Sequence, residues 1–131
     1  MNIGGLVKNS FVDYPQQIAA VIFTNGCNMN CWYCHNQDLI TGTRARIPED
    51  FVLSYLKERK NKIDGVVITG GEPTLQIDLL PFIKKIKDMG YLVKLDTNGS
   101  NPNILEELIS LKLIDYIAMD IKAPKNKLNS I

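Results

Sequence analysis

The strongest constraint on the fold is a regular alternation of short apolar strand patterns with amphipathic helix patterns along the 131 residues. Runs rich in β-branched residues predict four strands, over residues 18–24, 65–69, 91–96 and 116–122. Between these runs, apolar residues recur at helical spacing. Such alternation favours right-handed βαβ crossovers and a parallel sheet, so we expect an α/β fold with residues 1–131 as one domain.

Signals at the ends of the helix patterns predict where the helices begin and stop. The predicted starts are Pro48, Asp78 as an N-cap, and Asn101 as an N-cap followed by Pro102. Gly90 predicts the end of the second helix, because glycine tolerates the left-handed backbone that often follows a helix. Residues 1–17 contain Gly4 and Gly5, which predict an irregular lead-in or a small hairpin before the sheet.

Charge and composition exclude several classes of partner. The formal net charge of +1 gives no electrostatic case for a nucleic-acid or membrane partner. The longest wholly apolar stretch, residues 18–23, is far shorter than the roughly 20 residues that span a bilayer. Residues 1–11 lack the basic-then-apolar layout of a secretory signal. Three clustered cysteines suit metal or redox chemistry in a reducing compartment, so we expect a cytoplasmic protein.

The three cysteines, Cys27, Cys31 and Cys34, lie within eight residues. Four thiolates fill an ordinary cubane iron–sulfur cluster, whereas three would leave one iron open to a substrate or cofactor. A structural zinc site is an alternative, although His35 directly beside Cys34 is a poor ligand arrangement. A thiol–disulfide pair of Cys31 and Cys34 is another, but it leaves Cys27 without a role. The spacing favours an open cluster.

The other segments with residues suited to binding or catalysis come directly after, or at the end of, a predicted strand. They are Gly70-Gly71-Glu72-Pro73 after the second strand, Asp96-Thr97-Asn98-Gly99 at the end of the third, and Asp120 and Lys122 at the end of the fourth. The cysteines follow the first strand. In parallel α/β folds the carboxyl ends of the strands converge on one face. We therefore expect a single site that draws on all four segments.

Each of these segments also has a purely structural explanation. Residues 70–73 could be a tight strand-to-helix turn, and residues 96–99 could be a polar turn before the third helix. Asp120 and Lys122 share a strand face and could form a solvated ion pair. As functional groups, the glycines would let the backbone approach a ligand, and the Glu72 carboxylate could accept hydrogen bonds from an ammonium group.

The spacing Cys-x3-Cys-x2-Cys, with an aromatic residue before the last cysteine and Gly-Gly-Glu-Pro after the next strand, closely resembles the radical S-adenosylmethionine (SAM) enzymes. The motifs occur in the family's order across residues 18–122. The opening of the chain, Cys-His-Asn at positions 34–36 and Asp-Thr-Asn-Gly at positions 96–99 are similar to the activating enzymes of glycyl-radical enzymes. The opening is most like the activases of anaerobic ribonucleoside-triphosphate reductase, with those of pyruvate formate-lyase as the nearest rivals.

The resemblance implies a role for each matching residue. Cys27, Cys31 and Cys34 would hold a 4Fe-4S cluster whose fourth iron is chelated by the amino and carboxylate groups of SAM. Tyr33 would adjoin the adenine. The implied contacts to the methionine ammonium are Gly70, Gly71 and Glu72, and those to the methionine carboxylate, the ribose or a monovalent cation are Asp96, Thr97, Asp120 and Lys122. Asn98 and His35 are secondary candidates.

The implied reaction is reductive and needs no side-chain acid or base. A flavodoxin or ferredoxin would reduce the cluster, and one electron would cleave a C–S bond of SAM. The resulting 5′-deoxyadenosyl radical would take hydrogen from a glycine of a partner, with anaerobic ribonucleotide reductase as the leading candidate. Two other hypotheses stay open: a non-catalytic iron–sulfur or zinc module, and radical chemistry on a small molecule.

The resemblance also implies the architecture. The family's partial parallel (β/α) barrel normally uses six βα units, whereas this sequence supplies about four. The expected fold is therefore a truncated barrel of this type, with the fourth predicted strand as an exposed edge unless another chain covers it.

Overall fold

A computed structural model of the chain describes residues 1–10, 17–25 and 47–119. The elements in chain order are strands β1 (Ile3–Ser10) and β2 (Ala19–Thr24), helix α1 (Glu49–Glu58), strand β3 (Gly65–Gly70), a 3-10 turn (Pro73–Leu75), helix α2 (Leu79–Asp88), strand β4 (Leu92–Thr97), helix α3 (Pro102–Ser110) and strand β5 (Tyr116–Met119). None of the helices in these ranges is both long enough and apolar enough to cross a membrane.

The five described strands form one sheet in the order β1-β2-β3-β4-β5. Strands β2 to β5 are parallel neighbours, whereas β1 runs antiparallel to β2. Helices α2 and α3 follow β3 and β4 in the chain and so provide the crossovers between parallel strands. The predicted α/β class and the parallel order are confirmed, and closure of the sheet into a partial barrel stays a prediction.

The amino-terminal segment differs from the sequence-based expectation. Residues 3–10 are a strand of the sheet itself, and the side chain of Ile3 is fully buried. The register between β1 and β2 shifts between Ile3 and Gly5 and again between Val7 and Ser10. A β-bulge accommodates glycine within a strand, so Gly4 and Gly5 mark an irregularity of β1 and not a lead-in before the sheet.

The predicted helix starts are confirmed, but the side chains expected to cap them form hydrogen bonds with other parts of the protein. Helix α1 follows Pro48, and Asp78 and Asn101 occupy the N-cap positions of α2 and α3 without side-chain capping hydrogen bonds. The Asp78 carboxylate instead accepts a hydrogen bond from the amino group of Met1 at 2.6 Å. Gly90 has φ +93°, as expected for the left-handed residue that follows a helix. Tertiary partners therefore replace the local caps.

The helices cover one face of the sheet. The main core joins alternate strand residues such as Ile22, Ile68 and Leu95 to helix residues such as Phe82 and Leu108. The opposite face carries a second, smaller cluster of Ala19, Val21 and Val67, against which Phe23 and Leu92 pack. Because side chains alternate along a strand, Lys94 and Asp96 share this second face with Leu92. The sheet therefore has one apolar, helix-covered face and one face that becomes polar toward the carboxyl end of β4.

Candidate functional site

The candidate site lies where β3 and β4 end. Because these strands are parallel neighbours, the turn after Gly70 and the turn after Thr97 leave the same edge of the sheet. The Thr97 hydroxyl lies 2.7 Å from the Glu72 carboxylate, so the two turns are in direct contact. The structure thus brings together two of the four segments that the sequence predicted to share a site.

The other two segments lie outside the described residues. They contain Cys27, Cys31, Tyr33, Cys34, His35, Asp120 and Lys122, whose placement stays a prediction. The described chain nevertheless reaches both segments at this edge. Asn25 follows β2, and its carbonyl accepts a hydrogen bond from the Gln76 amide at 2.8 Å, beside the 3-10 turn. Strand β5 ends at Met119, directly before Asp120.

Position 70 requires a glycine because strands β2 and β3 approach each other closely there. Its φ is +110°, and a Cβ at this position would lie 2.4 Å from the backbone nitrogen of Thr24 and 2.6 Å from its carbonyl oxygen. The backbone N–H of Gly71 donates to the same Thr24 carbonyl at 3.0 Å. The first glycine of the turn therefore has a structural role, whether or not the turn also contacts a ligand.

Glu72 is fully buried, and its carboxylate joins the two turns. One oxygen, Oε1, accepts a hydrogen bond from the backbone N–H of Asn98 at 2.7 Å. The other, Oε2, accepts from the Thr97 hydroxyl at 2.7 Å, from the Thr74 backbone N–H at 3.1 Å and from the Thr74 hydroxyl. Glu72 therefore caps the 3-10 turn that follows it and also holds the turn after β4. Its predicted contact with a ligand ammonium stays a prediction.

Further hydrogen bonds organise the turn after β4. The Thr97 hydroxyl accepts from the Gly99 N–H at 3.2 Å, and the Asn98 side-chain oxygen accepts from the Ser100 N–H at 2.9 Å. The Asn101 amide donates to the Thr74 hydroxyl at 2.8 Å, which ties the start of α3 to the 3-10 turn. Sequence reasoning did not assign Thr74 or Asn101 to the site. Both resemble ordinary turn and cap residues in the sequence, and only the strand register brings them together.

Asp96 presents an unsatisfied oxygen at the polar face of the sheet. The Lys94 ammonium lies 3.2 Å from Asp96 Oδ1 and 5.7 Å from the centre of the Tyr116 ring. The ion pair lacks hydrogen-bonding geometry, so this buried oxygen has no hydrogen-bond donor within the part of the chain that the structure describes. Such an acceptor fits an ammonium group or a monovalent cation. Lys94 was not predicted as a site residue, although its position two residues before Asp96 places both on one strand face.

Comparison with known proteins identifies the family of the chain. Residues 21–131 match the family model of the Radical SAM superfamily. The chain therefore belongs to the radical SAM superfamily, whose members use a 4Fe-4S cluster and S-adenosylmethionine. The residues present at the β3 and β4 turns, in particular the unsatisfied Asp96 oxygen, fit the amino-acid part of that cofactor.

Individual relatives are similar over most of the chain. The chain is 43% identical over 129 residues to a protein of Methanocaldococcus jannaschii named "Putative glycyl-radical enzyme activating enzyme MJ1227", covering 95% of the chain and 52% of that protein. It is 34% identical over 122 residues to the pyruvate formate-lyase-activating enzyme of Listeria monocytogenes, covering 85% of the chain and 49% of the enzyme. It is 38% identical over 104 residues to the 7-carboxy-7-deazaguanine synthase of Thermoplasma acidophilum, covering 79% of the chain and 47% of the enzyme. The chain thus spans about half the length of these relatives.

Proposed function

We propose that this chain acts in a radical SAM activating enzyme that generates a glycyl radical on a partner enzyme. The observation that carries the proposal is the contact between the two turns, in which the Glu72 carboxylate joins residues 70–73 to residues 97–98 at the carboxyl edge of the sheet. A module that only bound metal would need no such pair of polar turns. The similarity to a protein named as a glycyl-radical enzyme activating enzyme supports the choice of partner class.

In this proposal Cys27, Cys31 and Cys34 hold the 4Fe-4S cluster. The turn formed by Gly70, Gly71 and Glu72 faces the methionine ammonium of SAM, and Tyr33 lies against the adenine. The proposed contacts to the methionine carboxylate, the ribose or a monovalent cation are Asp96, Thr97, Asp120 and Lys122. The bound cluster and SAM supply the electron transfer and the C–S bond cleavage, while the chain orients SAM and excludes water.

Among glycyl-radical enzymes, we propose anaerobic ribonucleotide reductase as the partner, with pyruvate formate-lyase as the alternative. The proposed reductant is a flavodoxin or ferredoxin in the cytoplasm. The basis for ribonucleotide reductase is the resemblance in the opening residues of the chain. The identity to a pyruvate formate-lyase-activating enzyme supports the alternative.

The partner proposal is tested by mixing the reduced, cluster-loaded protein and SAM with each candidate enzyme under anaerobic conditions. Electron paramagnetic resonance should reveal a glycyl radical on the true partner. If that partner carries deuterated glycine, deuterium should appear in 5′-deoxyadenosine. A partner variant with alanine in place of the radical glycine is the matched control. SAM cleavage that leaves no glycyl radical on either enzyme and no deuterium in 5′-deoxyadenosine would contradict the activase proposal.

A second candidate function is radical chemistry on a small molecule. The 38% identity to a 7-carboxy-7-deazaguanine synthase favours it, because this relative is named for a reaction on a small heterocycle. Under this alternative, a small-molecule substrate would stimulate the formation of 5′-deoxyadenosine, and deuterium in that substrate would be transferred. A glycyl-radical partner would produce neither effect.

A further inference from the structure

The Glu72 carboxylate accepts four hydrogen bonds from the protein itself. The backbone N–H groups of Thr74 and Asn98 and the hydroxyls of Thr74 and Thr97 all direct hydrogen bonds at its two oxygens. Their number matches the roughly four lone-pair sites of an ionised carboxylate, with three bonds on Oε2 and one on Oε1. The side chain is also fully buried, so it presents no surface to a ligand.

The direction of these hydrogen bonds is fixed by the groups around them. The Thr97 hydroxyl accepts from the Gly99 N–H, and the Thr74 hydroxyl accepts from the Asn101 amide. Because a hydroxyl carries one proton, each of these threonines can then donate to Glu72 Oε2. Every hydrogen bond in the network therefore points toward the carboxylate. Hydrogen bonds aligned in this way polarise one another, which strengthens each of them.

We infer that Glu72 is a positioning residue, which holds the turn after β3 and the turn after β4 in one arrangement without itself binding the methionine ammonium. The functional half of this inference rests on the proposed function. The ammonium is then left to neighbouring groups, and the buried Asp96 oxygen, which is ion-paired with Lys94 but accepts no hydrogen bond from the described residues, is the candidate acceptor. Loss of Glu72 acts by loosening the turn that carries Asp96 and Asn98.

The structural half is tested on the metal-free protein by hydrogen exchange at the backbone amides of Asn98 and Gly99. In Glu72→Gln only one carboxamide atom can accept, so we expect the Asn98 amide to exchange about tenfold faster. Thr74→Val removes one hydroxyl donor to Glu72 together with the acceptor of the Asn101 amide, and we expect an increase of about threefold. If Glu72→Gln does not fold, Thr74→Val decides the question.

Thr24→Val is the matched control. Thr24 is another buried threonine at the same edge of the sheet, but its hydroxyl donates to the carbonyl of Thr69 at 3.1 Å and takes no part in the Glu72 network. In Thr24→Val, the Asn98 amide should exchange at the same rate as in the unmodified protein. If Glu72→Gln and Thr74→Val also left this exchange unchanged, the inference would be wrong.

The functional half is tested on the cluster-loaded protein. We expect Thr74→Val to raise the KM for SAM about threefold, with iron content and kcat close to those of Thr24→Val. A direct ligand role for Glu72 predicts instead that Glu72→Gln weakens SAM binding while Asn98 exchange and the KM of Thr74→Val stay unchanged. That result would overturn the inference. Failure of the unmodified protein to cleave SAM would count against the proposed function, and the exchange data would still decide the role of Glu72.

Discussion

The ammonium of Lys94 lies 3.2 Å from Asp96 Oδ1 on the sheet face opposite the helices. The two side chains are mostly shielded from solvent, and the Lys94 ammonium also lies over the Tyr116 ring. In the proposed site, a ligand ammonium or a monovalent cation would share this carboxylate with Lys94. Lys94 therefore competes for the same negative charge that the ligand needs.

Replacing Lys94 by methionine should strengthen ligand binding at Asp96. Methionine keeps the apolar length of the side chain and removes the competing charge, so we expect SAM or a monovalent cation to bind about two- to fivefold more tightly. Isothermal titration of the cluster-loaded protein in sodium and potassium buffers measures the effect. Lys57→Met, on the exposed surface of α1, is the control and should leave the affinity unchanged. Weaker binding in Lys94→Met would show that Lys94 assists the ligand.

Gly70→Ala should destabilise the fold more than Gly90→Ala. Both glycines have positive φ, but a Cβ at position 70 meets the backbone of Thr24 at 2.4 Å, whereas at position 90 it makes only an ordinary contact with the Lys60 side chain at 3.6 Å. We expect the free energy of unfolding to fall by about 1 kcal/mol in Gly90→Ala and by at least about 3 kcal/mol in Gly70→Ala. Urea unfolding measures both values. Equal losses of unfolding free energy in the two variants would contradict the close approach of β2 and β3 at Gly70.

Gly71→Val should separate cluster assembly from cofactor binding. Gly71 lies outside the cysteine segment, so the iron content after reconstitution should match that of the unmodified protein. A branched side chain in the turn should block the close backbone approach proposed for the methionine ammonium, and we expect at least about tenfold weaker SAM binding. Iron analysis and titration with SAM test the two parts. Unimpaired SAM turnover in this variant would refute the placement of the turn in the site.

The stability of the fold should fall in strong alkali through Tyr91. Burial raises the pKa of the Tyr91 phenol, and the electrostatic interaction with Tyr55 raises it further; the Tyr91 hydroxyl donates to the carbonyl of Leu56. The unfolded state then loses its phenol proton at a lower pH than the folded state, so this contribution to stability is complete below about pH 10 and declines as the pH rises toward the folded pKa. Denaturant unfolding at several pH values should show a shallower decline in Tyr91→Phe. A decline of the same slope in Tyr91→Phe and in the exposed control Tyr116→Phe would contradict this role.

Much of the fold could be predicted from the sequence because local patterns determine it. β-Branched runs located β2 to β5, and residues such as Pro48 and Pro102 located helix starts. Strand β1 was missed because Gly4 and Gly5 read as loop residues, whereas a register shift accommodates them. Asp78 and Asn101 do not cap their helices as expected, because their side chains form hydrogen bonds with residues distant in sequence, Met1 and Thr74.

The candidate site was predictable in its residue types but not in its connections. Parallel strands imply that the turns after β3 and β4 are neighbours, so the grouping of Glu72 with Thr97 could be anticipated. Spacing does not reveal that the Glu72 carboxylate points into the protein and accepts from Asn98, 26 residues away. That outcome depends on strand register and on burial. Lys94 was missed for a related reason, since its pairing with Asp96 follows from the side-chain alternation of β4.

The central claim is that this chain assembles an open iron–sulfur cluster which, with the turns after β3 and β4, cleaves SAM. The most direct measurement is anaerobic reconstitution, addition of dithionite and SAM, and chromatographic quantification of 5′-deoxyadenosine. We predict that 5′-deoxyadenosine accumulates with the unmodified protein and that Cys31→Ala neither retains the cluster nor forms product. A fully loaded cluster that yields no 5′-deoxyadenosine, or equal product from Cys31→Ala, would contradict the account.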